Sequence, residues 1–261
     1  MSAEKKRARR ITVISGKGGV GKTVIAANMA AELSSMGHRV LVVDGDLGLA
    51  SLDLLLGISP RLTIHEALRK SSPLDQALVP TRKGFDLLPA GSGLPENTVF
   101  TATLAKELQS VLKDAEYRYD AIIIDASAGI GDIVMFFAGL SDEILLVATP
   151  EPTSVVDCYA TIKILKQLQG RNEFLLVINQ ADPECPNRVG FYIASHLQNV
   201  ISRFMGSAEN SRVCIRLIGS IPMDPAIPRA IRNRQLLAEA NPQAPAAALM
   251  RDLAGYLHTR I

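Results

Sequence analysis

The sequence predicts an α/β fold: one domain on a mostly parallel sheet of about seven or eight strands, flanked by helices on both faces. Three observations predict it. Short apolar runs alternate with amphipathic stretches along the whole chain, as strands joined by crossover helices do. Most of those runs are continuous rather than alternating, Leu41-Val42-Val43 and Ile122-Ile123-Ile124 above all, which suits strands covered on both faces. A glycine-rich turn separates the first apolar run from the first helical stretch.

Strands are expected at 11–14, 40–43, 85–88, 121–124, 144–148, 174–178 and 213–217. The first helix should span 22–36 and stop at Gly37, whose missing Cβ suits a left-handed cap. A second begins near Thr153. There Val156, Tyr159, Ile162, Leu165 and Leu168 recur every three residues, with Val155 on the same side, and the stripe reads as a face packed in the core. Helices over 101–112, 190–205 and 244–258 complete the set, and 182–187, with its two prolines, reads as a loop. No repeat or linker interrupts the pattern. Residues 11–261 form one domain, preceded by a basic, flexible tail over 1–10 that carries Lys5, Lys6, Arg7, Arg9 and Arg10.

Composition excludes several classes. The 28 basic and 26 acidic residues leave a net charge of +2, which argues against a surface built throughout for nucleic acid. No apolar run is long enough to span a bilayer, and the polar N-terminus is not a secretory signal. Cys158, Cys185 and Cys214 are odd in number and without a Cys-x-x-Cys pair, so they suggest neither a disulfide framework nor a zinc site and fit reduced thiols in a cytoplasm.

The chemistry begins at Gly16-Lys17-Gly18-Gly19-Val20-Gly21-Lys22-Thr23, which follows an expected strand and opens an expected helix. In that context the run is a P-loop, and the fold is that of a P-loop NTPase. Glycines let backbone N–H groups of Gly18, Gly19, Val20 and Gly21 turn inward around an anion, and the helix N-terminus adds unpaired donors and positive partial charge. Lys22 is placed for the β- and γ-phosphates of ATP, and the Thr23 hydroxyl for the accompanying Mg²⁺. Asp125 ends the apolar strand 121–124 as a Walker B acid does, placed to bind Mg²⁺ through water. Asp44 and Asp46 lie at the end of the second strand, on the side where sites in such sheets are built.

Lys17 has no obvious task in its own loop. The run Gly-Lys-Gly-Gly-Val-Gly-Lys-Thr is similar to the deviant Walker A motif of the MinD/ParA family of ATPases, and the resemblance extends from Ile11 to about Leu257. It implies slow Mg-dependent hydrolysis of ATP and a homodimer in the ATP state, with Lys17 reaching the partner's nucleotide. It also implies that Asp44 serves the metal, that Asp46 orients the attacking water, and that Ala126-Ser127-Ala128-Gly129-Ile130 is a switch segment sensing the γ-phosphate. Asn179 then hydrogen-bonds the adenine, although a turn-forming asparagine would look the same in sequence; Pro222 and Asp224, in Ile221-Pro222-Met223-Asp224-Pro225, form the other wall of the base pocket.

Within the family, four stretches resemble the FlhG branch, MinD-like regulators of flagellar number and placement: 44–53, 88–93, 151–154 and 218–224. The implied partner is a protein of the flagellar or cell-division machinery. The first ten residues show no activating segment of the Asp-Gln-Ala type found in many of that branch. MinD-type proteins end in a short amphipathic membrane helix. Here Ala246, Leu249, Met250, Leu253 and Leu257 make one stripe that reads as the last core helix, and a helix that detaches only with ATP would satisfy both core and peripheral membrane contact. The cysteines are wrongly placed for a metal-cluster reductase, an iron–sulfur carrier ATPase would show a C-terminal Cys-x-x-Cys, and an arsenite-type pump usually carries two such loops. The rival class is a DNA-partition ATPase, to which Arg229, Arg232 and Arg234 would lend basic surface, with nucleic acid the less expected partner.

Overall fold

A computed structural model of the chain describes residues 6–46, 51–64, 66, 76–90, 100–205 and 212–261. Eight strands form one sheet: β1 (Arg9–Ser15), β2 (Val40–Gly45), β3 (Val79–Pro80), β4 (Asp86–Leu88), β5 (Ala121–Ala128), β6 (Glu143–Ala148), β7 (Glu173–Ala181) and β8 (Cys214–Pro222). Their order is β3-β4-β2-β5-β1-β6-β7-β8, and every pairing is parallel except β3 with β4. The helices among the described residues are α1 (Lys22–Ser35), α2 (Leu52–Leu56), α3 (Ala102–Ala115), α4 (Asp132–Leu140), α5 (Pro152–Gln169), α6 (Pro186–Phe204), α7 (Ala226–Arg232), α8 (Leu237–Ala240) and α9 (Pro245–His258).

The continuous apolar runs bury on both faces, as parallel strands do. On one face Ile11, Val13, Val42 and Ile123 pack with α1 and α9. On the other, Ile14, Leu146 and Ile178 pack with α5 and α6, and Leu41, Val43, Ile122 and Ile124 pack with α3. Strand β1 lies between β5 and β6, so connections leave it in both directions. The crevice beyond the carboxyl end of such a strand is where these sheets take ligands, and the glycine run lies there.

Several expectations are corrected. Val156 and Leu168 are 64% and 72% exposed; the buried stripe of α5 is Ser154, Cys158, Thr161, Ile162 and Leu165. A strict spacing of three drifts about 60° per step around a helix of 3.6 residues per turn, so the ends of such a stripe leave the face its middle occupies. Helix α6 starts at Pro186, inside the expected loop, because proline suits a first helical turn. Strand β3, α2, α4, α7 and α8 are not anticipated by the pattern: all but α4 are shorter than two turns or a minimal strand, and the apolar run 133–137 of α4 lacks a clear period.

The expected flexible tail is corrected for residues 6–10. Ala8 is buried and its N–H donates to the Glu116 carbonyl at 2.7 Å. Arg7 pairs with Asp142 at 2.5 Å and Glu116 at 3.3 Å, while Arg9 and Arg260 both reach Glu143, at 2.8 and 3.0 Å. The basic residues are thus spent on carboxylates at the amino ends of the strands. Residues 1–5, 47–50 and 91–93 of the stretches discussed above lie outside the described residues.

Helix α9 is a core element: Ala246, Met250, Leu253 and Leu257 are buried and Leu249 packs against the same cluster. Arg251 pairs with Glu32 of α1 at 3.4 Å. Among the described residues no helix is long and apolar enough to cross a membrane. Truncating Leu253, which is fully buried, to alanine should cost about 2–5 kcal/mol of unfolding free energy in urea titrations. A cost within experimental error of zero would show that α9 does not carry core packing.

Candidate active site

The phosphate loop is shaped by two left-handed glycines. Gly19 and Gly21 have φ of +78° and +96°, and a Cβ on Gly21 would run into the Asn179 amide nitrogen. The loop is tied down at both ends. The Ser15 hydroxyl donates to the Lys17 carbonyl at 2.7 Å, and Asn179 Nδ2 donates to the Val20 carbonyl at 2.7 Å. The Val20 side chain is buried in the core, so only its main chain faces the site.

Beneath the loop lies an unusual concentration of buried charge. Asp44 and Asp125 are partners in register on β2 and β5, and both are essentially inaccessible. Asp44 accepts from the Asp46 N–H at 3.1 Å and the Ser51 N–H at 3.4 Å. Burial and then the nearby Asp125 charge push the Asp44 carboxyl up to about 8. Burial pushes Asp125 up to about 6, opposed by the Thr23 hydroxyl and the Lys22 ammonium. Lys22 is lowered by its burial, with Asp125 and Asp46 pulling the other way. Asp125 Oδ1 is buried without a hydrogen-bond partner. Two desolvated carboxylates, one with an orphaned oxygen, beside a threonine hydroxyl make an oxygen-donor set suited to a hard cation such as Mg²⁺. Thr23 Oγ1 also lies 3.3 Å from the Ser51 hydroxyl at the start of α2.

A cavity of about 810 Å³ opens beside the loop. Gly19, Gly21, Lys22 and Thr23 form its phosphate end, and Asn179, Pro222 and Asp224 its far wall, together with Gln180, Met223 and Ile227. Two expected contributions there are modified. Asn179 has committed a donor to Val20, and its buried Oδ1 is the atom left without a partner. Asp224 spends its carboxylate on main chain, accepting from Ala226 N at 2.8 Å and Ala246 N at 3.3 Å, so it fixes the starts of α7 and α9 around the pocket. Gln180 was not singled out in the sequence. It adopts φ +57° and its amide donates to the Gly19 carbonyl at 3.4 Å, a strained conformation at the loop's edge.

Lys17 stands apart from this cavity. Its ammonium lies 2.7 Å from Glu151 and 3.4 Å from the Thr153 hydroxyl, at the start of α5. Glu151 opens the stretch 151–154, but its pairing with Lys17 has no sequence signal, because the two are 134 residues apart. Gly18 lies in the loop with open space around it. The segment 126–130 spans the end of β5 and is tied back to the loop by the Gly129 N–H, which donates to the Ser15 carbonyl at 2.9 Å. Cys158 is buried, Cys185 half-buried and Cys214 exposed, and no group of three metal-ligating side chains stands ready among the described residues.

Comparison with known proteins agrees with this geometry. The family described as "ParA: NUBPL iron-transfer P-loop NTPase" matches residues 6–258. The antiactivator FleN of Pseudomonas aeruginosa is 33% identical over 244 residues, covering 94% of this chain and 84% of that protein. The flagellum site-determining protein YlxH of Helicobacter pylori is 29% identical over 255 residues, covering 96% and 82%. The septum site-determining protein MinD of Pyrococcus horikoshii, solved in complex with Mg-ADP, superposes with a TM-score of 0.72 at 25% identity, covering 96% of each chain. With a family match over residues 6–258 and relatives alike over nearly its whole length, the chain belongs to the ParA/MinD family of P-loop NTPases and is an ATPase that uses ATP and Mg²⁺.

Proposed function

We propose that this ATPase is an ATP-gated dimer switch that regulates the number or placement of a cell structure, most closely the flagellum. The observation that carries the reading is the position of Lys17. It is held outside its own nucleotide cavity, on an exposed ion pair with Glu151, where a second subunit can take it up. The name of YlxH, a flagellum site-determining protein, supports the flagellar assignment, and a partner from that machinery would read the dimer surface.

In this reading the main-chain N–H groups of Gly18, Gly19, Val20 and Gly21 receive the phosphates, and Lys22 meets the β- and γ-phosphates. Thr23, Asp44 and Asp125 hold Mg²⁺, which when bound neutralises phosphate charge. Asp46 orients a water toward the γ-phosphorus. The water oxygen forms its bond there as the bond to the β-bridging oxygen breaks, leaving ADP and phosphate. Lys17 of each subunit stabilises the charge on the other's triphosphate, so hydrolysis removes the contact that joins them. Asn179 Oδ1 accepts from the base amine, between Pro222 and the segment fixed by Asp224.

A second reading keeps the dimer but gives it nucleic acid as partner, on the strength of exposed Arg229, Arg232 and Arg234. Duplex binding by the ATP dimer with a steep salt dependence favours it over the flagellar reading.

Replacing Asp46 with alanine should leave ATP affinity within about twofold while turnover falls by on the order of 100-fold, so that dimers accumulate. A monomeric Asp46→Ala protein with bound ATP would remove Asp46 from its role. The same protein, used as bait with ATP, should retain a flagellar partner from a native extract; recovery of duplex DNA instead would favour the second reading. Lys17→Ala should bind nucleotide and stay monomeric in gel filtration. Glu151→Gln releases Lys17 from an exposed pair worth about 0–1 kcal/mol, and two such pairs open per dimer, so the ATP dimer should form at protein concentrations up to about thirtyfold lower. A dimer that forms less readily would contradict the release.

Folding favours the protonated form of Asp44, whose native value of about 8 exceeds its ordinary 3.8. The nucleotide-free protein therefore loses this contribution as pH rises from about 4 through about 8. Asp44→Asn should raise the melting temperature of the nucleotide-free protein at about pH 8.5, by on the order of 5 °C, change little at about pH 5, and lose the stabilisation by Mg·ATP. An equal effect at both pH values would contradict a buried titrating carboxylate.

A further inference from the structure

A second cavity, of about 480 Å³, lies at the β3 edge of the sheet, away from the phosphate loop. Its walls are the end of α2 with the residues after it, the turn following β3, and the segment joining α7 to α8. Arg82, Lys83 and Arg234 line it, against the single carboxylate of Glu239. Among the described residues no carboxylate comes within ion-pair distance of these three cations. Three like charges converging on one concavity repel one another unless an anion joins them.

The backbone fixes where Arg234 stands. Arg234 has φ +53°, in the left-handed region that glycine and asparagine occupy more cheaply. Asn233 is next to it, yet takes an ordinary φ of −85°, so the strain falls on the arginine. The Arg234 stem lies over Gly57 at the end of α2, where a Cβ would be 3.3 Å from the Arg234 Cβ. Side-chain-free Gly57 gives the arginine stem room, and Arg234 lines both this cavity and a smaller neighbouring one of about 370 Å³. The left-handed turn closes the C-terminus of α7, where the Gln235 N–H donates to the Ala230 carbonyl and the Arg234 N–H to the Ile231 carbonyl, both at 3.0 Å, and it sets Arg234 on the cavity wall.

We propose that this cavity is a binding site for a small phosphate-bearing molecule, distinct from the ATP site. Arg234 and Arg82 offer planar forks that match two phosphate oxygens each, and Lys83 a point charge for a third. A phosphorylated metabolite and a phospholipid headgroup present the same group; a concavity walled by three segments favours the free molecule. Seated there, it touches the end of α2, whose start carries Ser51 against Thr23 and Asp44.

The test uses the full chain saturated with Mg²⁺ and a non-hydrolysable ATP analogue, so that the phosphate loop is filled. Inorganic phosphate is then titrated and followed by calorimetry and ³¹P line width. Saturable binding is expected, weakened on the order of tenfold or more in Arg234→Gly and in Arg82→Gln. Because glycine accepts a positive φ, Arg234→Gly should melt no lower than the parent while losing the anion. Absence of saturable binding, or equal binding by both variants, overturns the site. In parallel, the protein is spun with phosphatidylcholine vesicles carrying phosphatidic acid. Arg234-dependent sedimentation without binding of free phosphate would overturn the assignment to a small molecule.

Discussion

Two carboxylates on adjacent strands and one ammonium, all shut away from water beneath a glycine loop, set the terms for the rest of this protein. Asp44 and Asp125 share a register position, and Lys22 is buried beside them. Desolvation drives each toward its uncharged form, as the directions of all three shifts record. Such a site is incomplete by itself. A polyanion answers Lys22 and the loop amides, a divalent cation answers the two acids, and Mg·ATP supplies both at once. Binding free energy is thereby stored as relief of an electrostatic cost that the fold has already imposed.

The sheet makes this concentration of charge possible. Buried on both faces, the parallel strands are mostly apolar, with Thr12 of β1 held by Ser141, and Asp44, Asp125 and Asn179 lie in the carboxyl-end halves of β2, β5 and β7. The loop after β1 closes over them from the middle of the sheet. Asn179 belongs to the fold as much as to the site: one amide hydrogen holds the Val20 carbonyl, and Gly21 must lack a side chain for it to do so. Asp224 works in the same way on the opposite wall, holding two helix starts with one carboxylate. These residues shape the pocket before any nucleotide arrives, which lowers the ordering cost of binding.

Much of this was legible in the sequence because it is local. The apolar runs of β1, β2, β5, β6 and β7, the glycine loop with Lys22 and Thr23, and the acids ending their strands all sit in short windows whose pattern has one physical reading. What was not legible depends on residues far apart in the chain. Arg7, Arg9 and Arg10 look like a solvated tail until Glu116, Asp142 and Glu143 are brought to them. Glu151 has no feature of its own and matters only because Lys17 reaches it. Val156 and Leu168 obey an apolar spacing, but helix geometry carries them off the buried face. The left-handed backbone of Gln180 and Arg234 has no local signature, since neither is a residue type that seeks it.

Lys17 lies outside its own cavity on an exposed pair with Glu151, and the proposed dimer switch makes it available to a second chain. Sedimentation equilibrium of the wild-type protein in Mg·ATP and in Mg·ADP tests this most directly. A dimer switch gives the mass of two chains with the triphosphate and of one chain with the diphosphate. A single-chain mass in both, at nucleotide concentrations that calorimetry shows to be saturating, would contradict it.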